Sequence, residues 1–503
     1  MSHAQLPVAL TSFRDRRFGR RFQVTQLDVL IEVNRPTFRT LSRDDERAAS
    51  YVSGTHPRGA MDSPQEERSV CIRSADTRAS AASRALAGVS LLGVFAVGCG
   101  GIVGQASADS GTSSPVADAG TPMNGCGGGL QSGSPWPMYG ACPSLRGRSM
   151  AKGPSTPSAK WFYATEAPVT GQPSIAADGT VYFSDHNGKL YAVGSDGSLR
   201  WSFSGAGERF VGTPAIAADG TIIVQGSKLY AVSPNGTLAW TFTVPTYATG
   251  DMMSPSIGTD GTIYVTNGNQ LFAVRSSGAE AWSMSANTRM PVIGSNGTVY
   301  AMGSGGTLQA LGPGGQVKWT FGSSGSQMSV ADNGSVLFTM PTPGASNADS
   351  LTAVRPDGTP SWSLDLGYAW AFEPATAADG TIYVDTGSGL AAVNPDGTKR
   401  WVAQLTGASG GWAPVVGADG TVYVGTNASA VSSGPGPDII GAGLQAISAD
   451  GERAWIFQPQ ATFTSPSMGA DGTLYAGVSW SQPGLIMPKA PAGASNGVYA
   501  IGP

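Results

Sequence analysis

From residue 161 to the C-terminus the chain alternates apolar and polar side chains in short runs, and each run stops at a Gly-containing turn. One copy reads Pro173-Ser174-Ile175-Ala176-Ala177-Asp178-Gly179-Thr180-Val181-Tyr182, resumes at Leu190-Tyr191-Ala192-Val193, and ends at Asp196-Gly197-Ser198-Leu199-Arg200-Trp201-Ser202-Phe203. A period of two puts alternate side chains on opposite faces of a strand, and Asp-Gly or Asn-Gly between two such runs makes a tight hairpin, because Gly reaches the positive φ that the turn needs. Each copy predicts four short antiparallel strands, A to D.

The first turn recurs eight times, at Asp178-Gly179, Asp219-Gly220, Asp260-Gly261, Asn296-Gly297, Asn333-Gly334, Asp379-Gly380, Asp419-Gly420 and Asp471-Gly472. Eight tryptophans mark strand D: Trp161, Trp201, Trp240, Trp282, Trp319, Trp362, Trp401 and Trp455. Their large apolar area is expected to pack between adjacent sheets. The phase is informative as well. A Trp strand opens the array at residue 161, whereas the last copy ends at Val498-Tyr499-Ala500-Ile501 without a Trp of its own. The N-terminal strand is expected to complete the last sheet, closing a ring and removing a free edge. Residues 161–503 divided by eight give about 43 residues per unit, the size of a propeller blade. The expected fold is an all-β, eight-bladed propeller.

Seven intervals from the strand-C Ala to the strand-D Trp equal nine residues, from Ala192 to Trp201 through Ala446 to Trp455. With Trp136-Pro137-Met138-Tyr139-Gly140 and Gly147-Arg148-Ser149 ahead of them, these repeats resemble the quinoprotein or PQQ-like β-propeller superfamily over residues 136–503. The resemblance implies the fold. The superfamily holds pyrroloquinoline quinone dehydrogenases, an outer-membrane assembly lipoprotein and binding propellers without cofactor, so function does not follow from it.

Spacing separates two faces of the ring. A–B and C–D turns are uniformly tight on one face, whereas B–C loops and D–A connections on the other absorb the variation, with insertions at 339–350, 427–443 and 479–496. Aromatic and charged residues outside the repeat fall on the variable face: Tyr247, Tyr368, Trp370, Phe372, Trp412, Phe463 and Trp480, with Glu208, Arg209, Asp251, Arg289 and Glu373. Aromatic platforms flanked by a few charges suit a protein or glycan partner. Alternatively, Trp370 and Trp412 plug the wide mouth of the channel.

Ahead of the repeats, composition changes the picture. Residues 1–98 carry 14 Arg, no Lys and 10 acidic groups, and the remainder carries 16 basic and 24 acidic groups, so the formal charge of −4 is the sum of +4 and −8. The break coincides with a short apolar run, Ala85 to Gly98, preceded by Arg73, Arg78 and Arg84 and followed by Cys99. Such a run is too short to span a bilayer, which takes about 20 residues, and has the layout of a secretory signal. Ala96-Val97-Gly98-Cys99 resembles a bacterial lipobox, which implies lipidation of Cys99 and an outer-membrane or other envelope location, on the periplasmic or the outer side. Export signals lie near a chain's start, so residues 1–60 are expected to be a mis-assigned or non-mature extension, with translation from Met61 and a signal over 61–98. The alternative is a genuine extension with an internal anchor. Residues 99–135, rich in Gly, Ser and Ala, should form a flexible tether, and 136–160 a lead-in to the ring. Cys126 and Cys142 remain as a candidate disulfide, with two free thiols as the alternative.

The same composition bears on chemistry. Charged residues make up 13% of the chain against a usual ~25%, with 71 Gly, which argues against helical bundles, and the acidic balance argues against a nucleic-acid binder. His occurs only at 3, 56 and 186, and His186 sits in a B–C turn where a lone His is expected to be a solvated turn residue. Quinone dehydrogenases need a Ca²⁺ site of carboxylate and amide oxygens beside the cofactor. Only five Glu follow residue 98, most Asp there lie in the repeat turns, and the nine-residue interval departs from the dehydrogenase pattern of ten with Thr before Gly. The expectation is a monomeric, non-catalytic binding propeller without cofactor or metal, touching the membrane only through its lipid. An outer-membrane protein assembly factor and a quinone-dependent dehydrogenase are the alternatives.

Overall fold

The computed structural model describes residues 13–14, 21–22 and 128–502, apart from 170, 206, 246–252, 288–289, 305, 323–324, 326, 343–348, 368–371, 387–388, 410–412, 428, 432–437, 441–442, 460 and 480–494. Residues 1–110 and 111–503 are separate units. In the first, Phe13–Arg14 pairs with Arg21–Phe22 as a small hairpin.

The second unit is an eight-bladed propeller of four-stranded antiparallel blades. Blade 1 runs from Ser174–Ile175 through Val181–Ser184 and Lys189–Val193 to Leu199–Ser204, each strand bonded to the next. Blades 2 to 7 repeat that order along the chain, over residues 211–243, 256–285, 292–321, 327–365, 375–404 and 415–457, and the insertion of blade 7 adds a ribbon of Ser429–Val431 with Asp438–Ile440. In blade 8, Leu474–Ser479 pairs with Asn496–Gly502, and the outermost strand is Ser158–Thr165 from the other end of the array. Ring closure by the Trp161 strand is thus as the phase of the repeat predicts.

The constant interval has a structural cause. Ala192 lies opposite Trp201, but Val193 lies opposite Leu199, leaving Arg200 as a one-residue bulge. The same Ala–Trp pairing and bulge occur in blades 2 to 7, and in blade 8 Trp161 faces Ala500 with the irregularity at Lys160. A bulge sharpens strand twist, so its repetition in register gives every blade the same coil. The first turn follows suit. Ala176 N–H donates to Thr180, Gly179 N–H donates to Ala176 and the Asp178 carboxylate accepts from Thr180 N–H, which is a turn closed by a Gly bulge at φ 79°.

Each strand-D Trp reaches the next blade. Its indole N–H donates over 2.7–2.9 Å to a carbonyl in the following C–D turn, from Trp161 to Ser195 and Trp201 to Pro234 round to Trp401 and Ala449. Trp455 has no such turn ahead of it and donates instead to Pro154 at 2.9 Å. The ring lies flat on the turn Gly of the next blade. At Gly397 a Cβ would come within 2.5 Å of Trp362, and φ is +89°. Gly there answers two demands, backbone conformation and ring contact.

The lead-in is a structural element in its own right, and its packing starts before residue 136: Leu130 is buried and bridges Ala217 of blade 2. The segment then visits the ring in turn, Trp136 against Ile175, Pro137 against Ile216, Pro143 against Ile293, Ser144 against Val330, Arg146 against Thr376 and Gly147 against Val416. In each case a strand-A N–H next to the A–B turn donates to a lead-in carbonyl, satisfying groups that an innermost strand would otherwise leave open to the channel. The lead-in therefore lines the channel on the tight-turn side. Trp136 and Met138 are fully buried there.

Removing the closing ring should cost more than a surface change. Trp161→Ala is expected to lower unfolding free energy by about 3 kcal/mol, and Gly397→Ala by about 1–3 kcal/mol through φ strain alone. Urea denaturation monitored by circular dichroism measures both, and a change within ~0.5 kcal/mol for Trp161→Ala would contradict closure by that strand.

Candidate binding face

The variable face is built from the ends of strands B and C and from the D–A connections. Between blades 1 and 2 it carries a polar cluster. The buried Asp185 carboxylate accepts from the N–H groups of Asn187 and Lys189 at 3.0 Å each and from the Tyr191 hydroxyl at 2.9 Å. Burial first, and that carboxylate second, push the Tyr191 phenol far above its ordinary value. Glu208 accepts from the Tyr230 hydroxyl at 2.7 Å. Burial works against its charged form, but the hydrogen bonds from Ser227 and Tyr230 prevail and hold Glu208 below the usual carboxylate value. Arg209 Nη2 lies 2.8 Å from His186 Nε2, and the fully buried Phe210 anchors this connection edge-on to Tyr230. His186 is half-buried against Arg209. The expectation of a lone solvated histidine is corrected, because a D–A connection of the next blade folds over it.

The structure brings Glu208 and Arg209 together on this face, and it places Glu373 elsewhere. Glu373 is 3% exposed, its backbone N–H donates to Gln327 Oε1 at 3.0 Å, and its carboxylate stands beside Tyr139 of the lead-in. Burial, and next the Glu373 charge, push the Tyr139 phenol well above its ordinary value. Glu373 belongs to the channel interior and offers no charge to solvent. Asp251, Arg289, Trp370 and Trp412, with Cys99 and Cys126, lie outside the described residues. Cys142 is disulfide-bonded.

Sequence reasoning missed a charged cluster on the opposite, tight-turn face. Arg146 and Arg148 of the lead-in both pair with Asp332, Arg148 through Nη1 and Nη2 at 2.8 and 3.2 Å. Arg148 also donates to the Ala377 carbonyl at 3.0 Å and Arg146 to the Val330 carbonyl at 3.3 Å. A signal for it was present. Asp332 precedes the blade 5 turn at a position held by Ala, Thr or Ser in the other seven blades.

A calcium-bound quinone needs converging oxygen ligands. Among the described residues no three His, Cys, Asp or Glu side chains come close enough to hold a metal ion. The turn carboxylates are already engaged, each accepting from the amide two residues on, as Asp178 does from Thr180 and Asp471 from Thr473. The described residues do not fit such a group.

Ring, blade repeat and closing strand define the class, a PQQ-like β-propeller repeat protein. Residues 149–249, 225–344 and 347–486 match the family model described as "Outer membrane protein assembly factor BamB", and the chain belongs to that family. Solved structures share the fold at low identity. A europium-containing methanol dehydrogenase aligns with TM-score 0.56 and 13% identity, over 74% of this chain and 98% of that one. The quinohemoprotein alcohol dehydrogenase of Comamonas testosteroni gives 0.55 and 12%, over 74% and 81%. BamB from Moraxella catarrhalis is 19% identical over 60% of this chain and 88% of its own, with TM-score 0.40. No curated protein matches the chain.

The Arg–Asp–Arg cluster has a pH signature. Burial would raise the Asp332 carboxyl, but Arg148 and Arg146 overcome it and hold its value down. A folded-state value below the unfolded one gives stability that is present above the unfolded value, about 3.9, and is lost as pH falls through the folded one. Discounted for an Asp332 side chain that is 46% exposed, Asp332→Asn should cost about 1 kcal/mol at pH 7. The difference from wild type should shrink as pH falls below the unfolded carboxylate value and vanish once it has passed the lower, folded one; a difference independent of pH in urea titrations would refute the pairing.

Proposed function

We propose that the chain is an envelope lipoprotein, anchored through Cys99, whose propeller is a non-catalytic scaffold that binds a protein or glycan partner on the variable face. The observation that carries this reading is the asymmetry of the ring. One face is uniform turns capped by the lead-in, and the other holds the Glu208–Arg209 connection; by sequence the insertions of blades 5, 7 and 8 and tryptophans 370 and 412 fall in the B–C and D–A segments that lead to this second face. Carboxylates committed to turns and phenols argue for recognition over catalysis, since a general acid or base must keep a proton site open to substrate. Among the described residues no helix is long and apolar enough to cross a membrane; the proposed attachment is by lipid at Cys99 through a Gly/Ser-rich tether, read from the sequence.

The family match supports a second reading, an outer-membrane protein assembly factor acting from the periplasm. The dehydrogenase alternative is weaker, because the described residues offer no ligand cluster for its cation. Cross-linking in intact envelopes and then purifying the propeller separates the first two. Recovery of outer-membrane assembly components supports the factor, and recovery of surface glycan or an unrelated surface protein supports the binder.

The anchor and the face can each be tested. Cys99→Ser is expected to move the protein from the membrane to the soluble envelope fraction on cell fractionation, and intact mass of the wild type should fit a lipidated chain beginning at Cys99. Trp370→Ala with Trp412→Ala should reduce partner capture at least about tenfold while leaving the urea midpoint unchanged, as expected when two aromatic anchors are lost from an interface. Undiminished capture would remove those tryptophans from the binding face.

A further inference from the structure

The eightfold repeat supplies its own controls, because each gap between blades can be compared with seven others. In six blades a strand-B Tyr lies tilted against the strand-D Trp of the same blade, as Tyr182 does on Trp201 and Tyr383 on Trp401, at 5.7 Å between ring centres in both pairs. Blades 2 and 5 have Ile223 and Leu337 instead. In blade 2 the lead-in compensates: Leu130 joins Ile223 in one buried cluster against which Trp240 packs. Among the described residues, no lead-in side chain joins the cluster around Leu337 of blade 5. The bulge adds no cover in blade 5 either. Arg200, Lys318, Arg400 and Lys160 reach back from the bulge to the A–B turn of their own blade, whereas blade 5 has the short, exposed Ser361, as blades 2, 3 and 7 have Ala239, Ala281 and Ala454.

These substitutions coincide with a cavity of about 290 Å³ between blades 5 and 6, lined by Leu337, Ser361, Trp362, Ser335, Thr376 and Asp332 among others. Thr376 is 1% exposed and its hydroxyl has no hydrogen-bond partner. It too is an exception, since Ile, Val or Met occupies the corresponding strand-A position of the other blades. A buried hydroxyl left unsatisfied is costly, and it makes the packing of this wall less favourable than an aliphatic side chain would.

We infer that this cavity is a binding site for a phenolic ring, a ligand that takes the place of the missing blade 5 tyrosine. The ring lies against Trp362 and Leu337, as the tyrosines lie against the tryptophan of their own blades. Where Tyr182, Tyr264 and Tyr475 stand, the phenol hydroxyl faces the Thr that opens strand B, and in blade 5 that position is Ser335. The site opens on the tight-turn face, away from the variable face, and does not depend on what that face binds.

Titration of the full propeller with p-cresol, followed by ligand-observed NMR, is the direct test. Saturable binding with a Kd on the order of 1 mM is expected for so small a ligand. Leu337→Tyr should fill the cavity from within, abolish that binding and raise the Tm by about 2 °C. Should that variant not fold, Ser361→Arg, at an exposed bulge where blades 1 and 6 already carry Arg, should weaken binding at least about tenfold by covering the opening. N-acetyltyrosinamide distinguishes the source of the phenol. Binding of p-cresol alone assigns the site to free phenols, and binding of both assigns it to a tyrosine presented by a peptide chain. Saturable binding of neither up to about 10 mM, or p-cresol binding unaltered in both variants, overturns the proposal.

Discussion

The structure depends on one pairing, that of Trp161 with Ala500 across the two ends of the array. A blade exposes apolar surface on both faces and buries it only against its neighbours, so an open stack of eight would leave two such faces in water. The strand Ser158–Thr165 is the outermost strand of blade 8 and follows directly from the lead-in, while Asn496–Gly502 beside it is the last strand of the chain. Closure thereby converts a linear repeat into a ring with no terminal blade. Because the closing hydrogen bonds join residues more than 300 positions apart, they form at a large loop-closure cost that the packing of all eight blades must offset.

Local devices make that closure possible by giving each blade the same shape. The nine-residue interval carries a bulge, the Asp-Gly-Thr turn carries an Asx hydrogen bond, and the indole N–H carries the contact to the next blade. Each is small, and each is repeated in register, so errors in twist do not accumulate around the ring. The same economy explains the charge pattern. Carboxylates that might have served as ligands or bases are turn acceptors, and basic bulge residues such as Arg200 and Lys160 bridge to those turns.

What sets one blade apart from another lies in departures from the repeat. The Glu208–Arg209 connection closes over His186, the insertion of blade 7 grows a ribbon, blade 5 exchanges Tyr for Leu and a neutral residue for Asp332, and blade 6 exchanges an aliphatic residue for Thr376. The lead-in is the largest departure. It has no place in the repeat, yet its carbonyls cap strand-A amides in six blades, and its two arginines converge on Asp332. Ala141 and Leu145 hold positive φ within it, at 67° and 52°, and both are buried, a conformation that persists only where surrounding contacts over-determine it.

Much of this was legible in the residues alone. Period-two alternation, Gly at the turns and the missing last Trp determined strands, blade count and closure, because each is a local rule repeated often enough to outweigh any single exception. The two faces followed from loop-length statistics. The sequence could not determine where an irregular segment goes. Residues 128–135 read as tether by composition, but Leu130 is buried on blade 2, since a few apolar side chains suffice when a preformed channel offers unpaired amides. Glu373 read as a surface charge and is enclosed beside Tyr139, and Asp332 read as part of a turn and is the meeting point of two guanidinium groups. Those outcomes depend on which blades the lead-in crosses, and that follows from contacts between positions far apart in sequence, which no local pattern encodes.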